Sequence, residues 1–210
     1  MKARQLCDRV LDALLESRPE WATDLGDHRF DSRLSDLGPD GVEETVRVLD
    51  DALGALDELD EAHLGTDDRV DVEILRTAAA ARRWSLTELR AHEHDPLVHL
   101  PTDAFHPLLV REGDPAERLR ALVARLEAVP EHLATARAAL HDMPRVHVET
   151  AIQQGRGLLD LLGADVDRLS ALAPGAAPTL DAARTVSSTT PSSALSRART
   201  FCIAWCATSS

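Results

Sequence analysis

Tyrosine is absent from this chain, and aromatics of any kind make up only 3% of it. The apolar residues are mainly Leu, Ala and Val, set among many Arg and Asp. That composition favours helix and leaves little β-branched or aromatic material for a sheet. Cysteine is also scarce. Cys7, Cys202 and Cys206 do not make an even set, so a disulfide framework is excluded and a reducing cytoplasm is the expected compartment. Basic residues are few: 23 Lys and Arg stand against 36 Asp and Glu, for a formal net charge of −13. Nucleic acid and anionic membrane are therefore not expected partners, because phosphate binding needs clustered cations. No stretch approaches the roughly 20 apolar residues of a membrane span. The opening "MKARQLCDRVLDALLESR" carries one amphipathic stripe in place of a signal peptide's apolar run.

What is present reads as a series of helices. Ala3, Leu6, Val10 and Leu14 share one face of the first, and Pro19 ends it by restricting Arg18. "TDLGDHRFDSRLSDLG" reads as a structured polar loop. Asp40 and Glu43 form a capping signal for the next helix, whose stripe is Val42, Val46, Leu49, Leu53, Leu56 and Leu59. Thr66 is the expected cap of another, with Val70, Ile74, Ala78, Ala81 and Leu89 inward and Trp84 as the large anchor.

The clearest start signal is "GDPAERLRALVARL": Asp114 as N-cap, Pro115 at the first helical position and Glu117 at the third. Pro130 is expected to begin a further helix. A last long one runs from about Val146, with Val148, Ile152, Leu159, Leu162, Val166 and Leu169 inward. Gly155 and Gly157 suggest a close packing point in its middle. The spacing predicts an all-α, bundle-like array of about six helices. The predicted organisation is a helical domain over residues 1–173, then a linker and a disordered, low-complexity tail over 174–210. All 36 acidic residues lie at or before Asp181. Beyond it Ser, Thr, Arg, Cys and Trp take over, which raises the expectation of a frameshift near Arg184 to Val186 and a truncated product.

Three stretches invite a chemical reading. "AHEHDPLVHL" nearly spells a His-Glu-x-x-His zinc helix, but His92 and His94 are two residues apart and point to different sides of a helix. Asp95-Pro96 reads better as a helix stop, with imidazoles near a helix C-terminus. His106, His132, His141 and His147 make no ligand pattern, and Cys202 and Cys206 lack the further ligands of a zinc set. "GDHRFDSRLSD" is the best candidate. Gly26 permits an unusual backbone angle, and His28 and Asp31 sit on a loop of the kind that lines pockets. Two readings of this loop stand: the edge of a substrate cleft, or a loop held by its own hydrogen bonds. No Ser-His-Asp set, phosphate loop or nucleotide fingerprint appears, so no catalytic or metal residue is assigned.

In order, "PEWATDLGDHRFDSRLSD", "DPLVHL", "LLVREGDPAERLRALVARLEAVPEHLATARAAL" and "MPRVHVETAIQQGRGLLDLL" resemble the N-terminal part of the bacterial DUF885 family, over residues 5–172. The resemblance implies a larger zincin-like, metallopeptidase-related helical fold. For complete members it implies zinc and a peptide-like substrate, with ligands from a later His-Glu-x-x-x-Pro-Gly-His-His type segment. In such a helix two His one turn apart hold the metal and the Glu takes a proton from its water. No segment of this sequence matches it, so none of those roles is carried over. The expected function is that of a truncated, inactive DUF885 protein. The alternative is a stand-alone helical protein-binding module.

Overall fold

The computed structural model describes residues 3–172, with the helical backbone alone over 159–170. The expected tail, its cysteines and the inward positions Leu159, Leu162, Val166 and Leu169 lie outside the described side chains. The fold is all-α: eight α-helices with short 3₁₀ and π turns, and no strand among the described residues. They group into two compact units, one from residues up to 18 and 36–91, the other from 19–35 and 92 onward.

The first unit packs α1 (Ala3–Glu16), α3 (Pro39–Asp57) and α4 (Thr66–Trp84) together. Leu6, Val10 and Leu14 of α1 are buried as their spacing predicts. The cap of α3 is Gly38 in place of the predicted Asp40. Pro39 takes the first turn, where a missing N–H loses nothing, and the Gly38 N–H donates to Asp36 Oδ1 at 2.9 Å. Leu49 and Leu56 are buried at the centre of the α3 stripe.

On α4 the predicted face is turned outward. Val72, Ala79 and then Leu86 are buried, while Val70, Ile74 and Trp84 are exposed. Apolar residues occupy two rows of this helix, and size alone favoured the wrong one. The small Ala79 lets α4 approach its neighbours. Arg76 and Arg83 flank the buried row and bridge to Asp57, Glu61 and Asp50. A π turn (Ser85–Leu89) follows and ends at Arg90, which is left-handed at φ 49°.

The second unit contains α2 (Pro19–Asp24), α5 (Ala91–His94) from its second residue on, α6 (Thr102–Val110), α7 (Pro115–Ala139) and α8 (Arg145–Leu172). Its core is Phe105 and Leu108 of α6, Leu119, Leu122, Leu126, Val129 and Leu133 of α7, and Leu158 of α8. Asp114 caps α7 by accepting from Ala116 N–H at 3.0 Å, as predicted. Pro130 does not begin a new helix; α7 runs through it. An interior proline costs about 3 kcal/mol, but Val129 and Leu133 on either side are almost fully buried and hold the helix in line. Nor does Gly155 mark a close approach: an added Cβ would meet Leu100 at an ordinary 3.8 Å, and Gly157 would meet nothing.

Candidate functional site

The candidate loop lies wholly in the second unit. It follows α2 and turns at Gly26, whose φ of +88° bears out the unusual angle expected there. Asp27 then caps a 3₁₀ turn (His28–Phe30), accepting from the Arg29 N–H at 3.1 Å and from its guanidinium at 2.6 Å. The Arg29 hydrogen bond holds the Asp27 carboxyl below its usual range. Arg29 and Arg33 both lie over the Phe30 ring. At its far end the loop is fastened to α2, where Ser35 donates to both oxygens of Glu20, at 2.7 and 2.5 Å. The loop therefore does make its own hydrogen bonds.

Beneath it lies Arg125, a fully buried cation. Its Nε donates to the Arg33 carbonyl at 2.9 Å. Its terminal nitrogens donate to the Thr23 hydroxyl at 2.6 Å, to the Pro19 and Phe30 carbonyls at 3.2 and 3.4 Å, and to the Ala104 carbonyl. Among the described residues it pairs with no carboxylate. Burial pushes its pKa down, opposed by the nearby charges of Glu20 and Asp31. The guanidinium stays protonated in any protein setting, and carbonyl dipoles take the place of water around it.

The structure brings His28 and Asp31 together and adds a third group that sequence reading missed. Arg111 donates to Asp31 Oδ2 at 2.6 Å and to His28 Nδ1 at 2.5 Å. Because Arg111 donates to Nδ1, that nitrogen carries no proton, so its 3.3 Å separation from Asp31 is not itself a hydrogen bond. The Arg111 guanidinium joins the two acceptors. Asp31 is nine-tenths buried, whereas the His28 side chain is 57% exposed. Asp31 Oδ1 has no hydrogen-bond partner among the described residues. Arg111 is positioned from below, since Arg118 donates to its carbonyl and, at 3.4 Å, to that of Leu109. These bonds cap the last turn of α6. Burial lowers the Arg118 pKa, and the like charge of Arg111 adds to that. The available signal was Arg118 and Arg125, seven residues apart on the Leu119–Leu122–Leu126 face of α7. Arginine recurring on an apolar face marks a buried polar network.

The open position of this cluster is the acceptor Asp31 Oδ1, which suits a ligand that donates a hydrogen bond and not a metal. The nearest imidazole nitrogen is occupied by a cationic donor, and the same cation already pairs with one carboxylate oxygen. Among the described residues no three His, Cys, Asp or Glu side chains converge to hold an ion.

The histidines of "AHEHDPLVHL" form a separate seam in the same unit. Asp95 caps a 3₁₀ turn (Pro96–His99), accepting from the Leu97 N–H at 3.0 Å, so the segment is the helix stop that its sequence predicts. Buried His99 donates through Nε2 to the His92 carbonyl at 2.7 Å, and His132 donates to the His99 carbonyl at 3.0 Å. The two rings lie 5.9 Å apart. His147 Nδ1 lies 3.2 Å from Asp95. Burial drops His99 to about 4, helped by the nearby His132 and His92 and opposed by its bond to the His92 carbonyl and by Asp95.

The family described as bacterial protein of unknown function (DUF885) matches residues 19–206. The match runs past Asp181, so the change in composition lies inside it. No curated protein matches the chain. Among solved structures, a proposed lipoprotein of unknown function from Shewanella oneidensis is similar, with a TM-score of 0.73 and 18% identity. The similarity covers 99% of this chain and 38% of that one, so this chain spans well under half of its neighbour's length. At that identity the likeness is one of fold.

Proposed function

The chain belongs to the DUF885 family, and from that premise we propose that it is the helical, substrate-facing part of a zinc-hydrolase-like protein. The hydrolytic step itself is not carried by these residues. In this reading His28, Asp31 and Arg111 edge the cleft of a complete relative and hydrogen-bond a peptide-like substrate. The observation that carries it is Asp31: a carboxylate nine-tenths buried, with one oxygen fixed by Arg111 and the other without a partner among the described residues. A buried acceptor left open is costly unless something fills it. The zinc-hydrolase relation rests on the family resemblance. The sequence contains no His-Glu-x-x-His, and the His28–Asp31–Arg111 cluster does not suit the ion.

The test replaces the residues matching His28 and Asp31 by Ala in a full-length relative and measures peptide hydrolysis. Turnover falling by about tenfold or more supports the reading. Unchanged turnover in both variants removes it.

Residues beyond Arg184 are proposed to be an out-of-frame ending. A family-like continuation in another frame of the gene past codon 185 would support that, and absence of one in both frames would end it. The family match reaching residue 206 weighs against it. A cytoplasmic location is likewise proposed, on cysteine usage. Cell fractionation tests it, with the neighbour's description as a lipoprotein pointing the other way.

A second reading, a helical protein-binding module, is favoured by the exposed apolar row on α4.

A further inference from the structure

The predicted inner face of α4 points to solvent, and it has the pattern of a seam. Val70, Ile74, Thr77, Ala81 and Trp84 are all exposed and follow one another at spacings of 4, 3, 4 and 3. The exposures of Val70, Ile74 and Trp84 are 52%, 60% and 54%. Spacing of this kind keeps one row of side chains toward a partner helix. The π turn extends the row, because one extra residue per turn brings Leu89, 43% exposed, to the same side after Trp84. The opposite face, with Val72, Ala79 and Leu86, is the one buried in this unit. Large apolar residues lined up on a helix already anchored by its other face are a binding surface more often than scattered exposure.

The charges along the helix say what fits. Residues 67–73 hold four acids, Asp67, Asp68, Asp71 and Glu73, against Arg69. Residues 82–90 hold three arginines, Arg82, Arg83 and Arg90, against Glu88, and Arg83 also bridges to Asp50 of its own unit. A helix acidic at one end and basic at the other complements a copy of itself laid antiparallel; the parallel arrangement sets acid beside acid. Steric fit selects the same pairing. Antiparallel, Ile74 meets Trp84 of a second copy, Val70 meets Leu89, and the small Thr77 and Ala81 meet in the middle, where they let the backbones approach. The contact repeats by two-fold symmetry, as an isologous dimer requires.

We propose that α4 is a homodimerisation surface, pairing antiparallel with α4 of a second copy through Val70, Ile74, Trp84 and Leu89. The pairing is independent of any hydrolytic role. One helix of 19 residues is about 28 Å long, a contact at the small end of specific interfaces. The dimer is therefore concentration-dependent.

The full chain is followed by light scattering and sedimentation over roughly 1–100 µM, a range that brackets micromolar affinity. The expected result is a monomer–dimer equilibrium that weakens with salt. Ile74→Asp and Trp84→Ala each raise the dissociation constant by about tenfold or more. Both sites are exposed, so the helical circular dichroism of the variants stays unchanged. A second readout leaves Ile74 and Trp84 intact. In a background carrying Cys7→Ser, Cys202→Ser and Cys206→Ser, Val70→Cys and Leu89→Cys chains are mixed and oxidised. Antiparallel pairing gives the mixed disulfide in preference to either self-linked product. A monomer throughout, a dimer indifferent to both α4 substitutions, or self-linked Val70→Cys as the main product would each overturn the proposal.

Discussion

Arg125 on α7 donates to the hydroxyl of Thr23 on α2 at 2.6 Å, across a sequence separation of 102 residues. The same guanidinium holds carbonyls of Pro19, Phe30, Arg33 and Ala104. One side chain thus ties α2, the candidate loop and α6 to the central helix of the unit. Pro19 and Ala104 lie in the first turns of α2 and α6, and the Pro19 and Phe30 carbonyls also accept from the Thr23 hydroxyl and the Arg33 N–H, so Arg125 adds a second donor to oxygens that are already engaged. The candidate site is rigid to the extent that this cation is in place.

Arg125→Ala is expected to destabilise the protein by about 3–5 kcal/mol, because it removes five hydrogen bonds from one buried side chain and opens a cavity. Thr23→Val removes two bonds, the one accepted from Arg125 and the one donated to the Pro19 carbonyl, and is expected to cost about 1–3 kcal/mol. Urea unfolding monitored by circular dichroism measures both. An Arg125→Ala protein within 0.5 kcal/mol of the parent would show that the carbonyls find other donors.

Much of this was legible in the sequence, and the gaps have physical causes. The α7 start was legible because Asp114, Pro115 and Glu117 each act locally on the first turn. The loop's turn was legible because Gly26 alone permits its φ. The burial direction of α4 was not, since two apolar rows compete and the choice rests on Arg76 and Arg83 reaching acids in α3 and the turn after it. Continuity through Pro130 depends on the burial of its neighbours, a tertiary fact. Of the candidate site, His28 and Asp31 were found from a loop pattern. Arg111 is 80 residues from Asp31 in sequence, and no local signal joins them.

His99 makes the protein acid-sensitive. An unfolded imidazole titrates near 6.5, whereas burial holds His99 at about 4 in the folded chain. Between those values the unfolded chain binds a proton that the folded chain refuses. Stability contributed by this site is therefore full above pH 6.5 and falls as pH drops toward 4, by on the order of 3 kcal/mol in total. The ring faces His132, the His92 carbonyl and ring, and Asp95, and its Nδ1 has no partner among the described residues to take a new proton. His99→Gln keeps a donor for the His92 carbonyl and cannot titrate. Its unfolding free energy, measured by urea at pH 7, 5.5 and 4.5, should fall less steeply with acid than the parent's. Parallel profiles would place the sensitivity at other groups.

Two glycines are expected to respond to the same substitution with opposite signs. Gly26 turns the candidate loop at φ +88°, and no neighbour lies within 4 Å of an added Cβ. The penalty for alanine there is purely one of backbone conformation. Gly26→Ala should cost about 1 kcal/mol and loosen the turn that presents His28 and Asp31. Gly54 lies in the helical interior of α3, also with nothing within 4 Å of a Cβ. There alanine removes the entropy lost by glycine on folding without meeting an obstacle, and Gly54→Ala should stabilise by about 0.5–1 kcal/mol. Thermal unfolding of the two variants beside the parent reads the signs directly. A Gly26→Ala protein as stable as the parent would mean that the loop reaches a right-handed turn at little expense. The geometry that sets His28 and Asp31 against Arg111 would then be one of several the loop adopts.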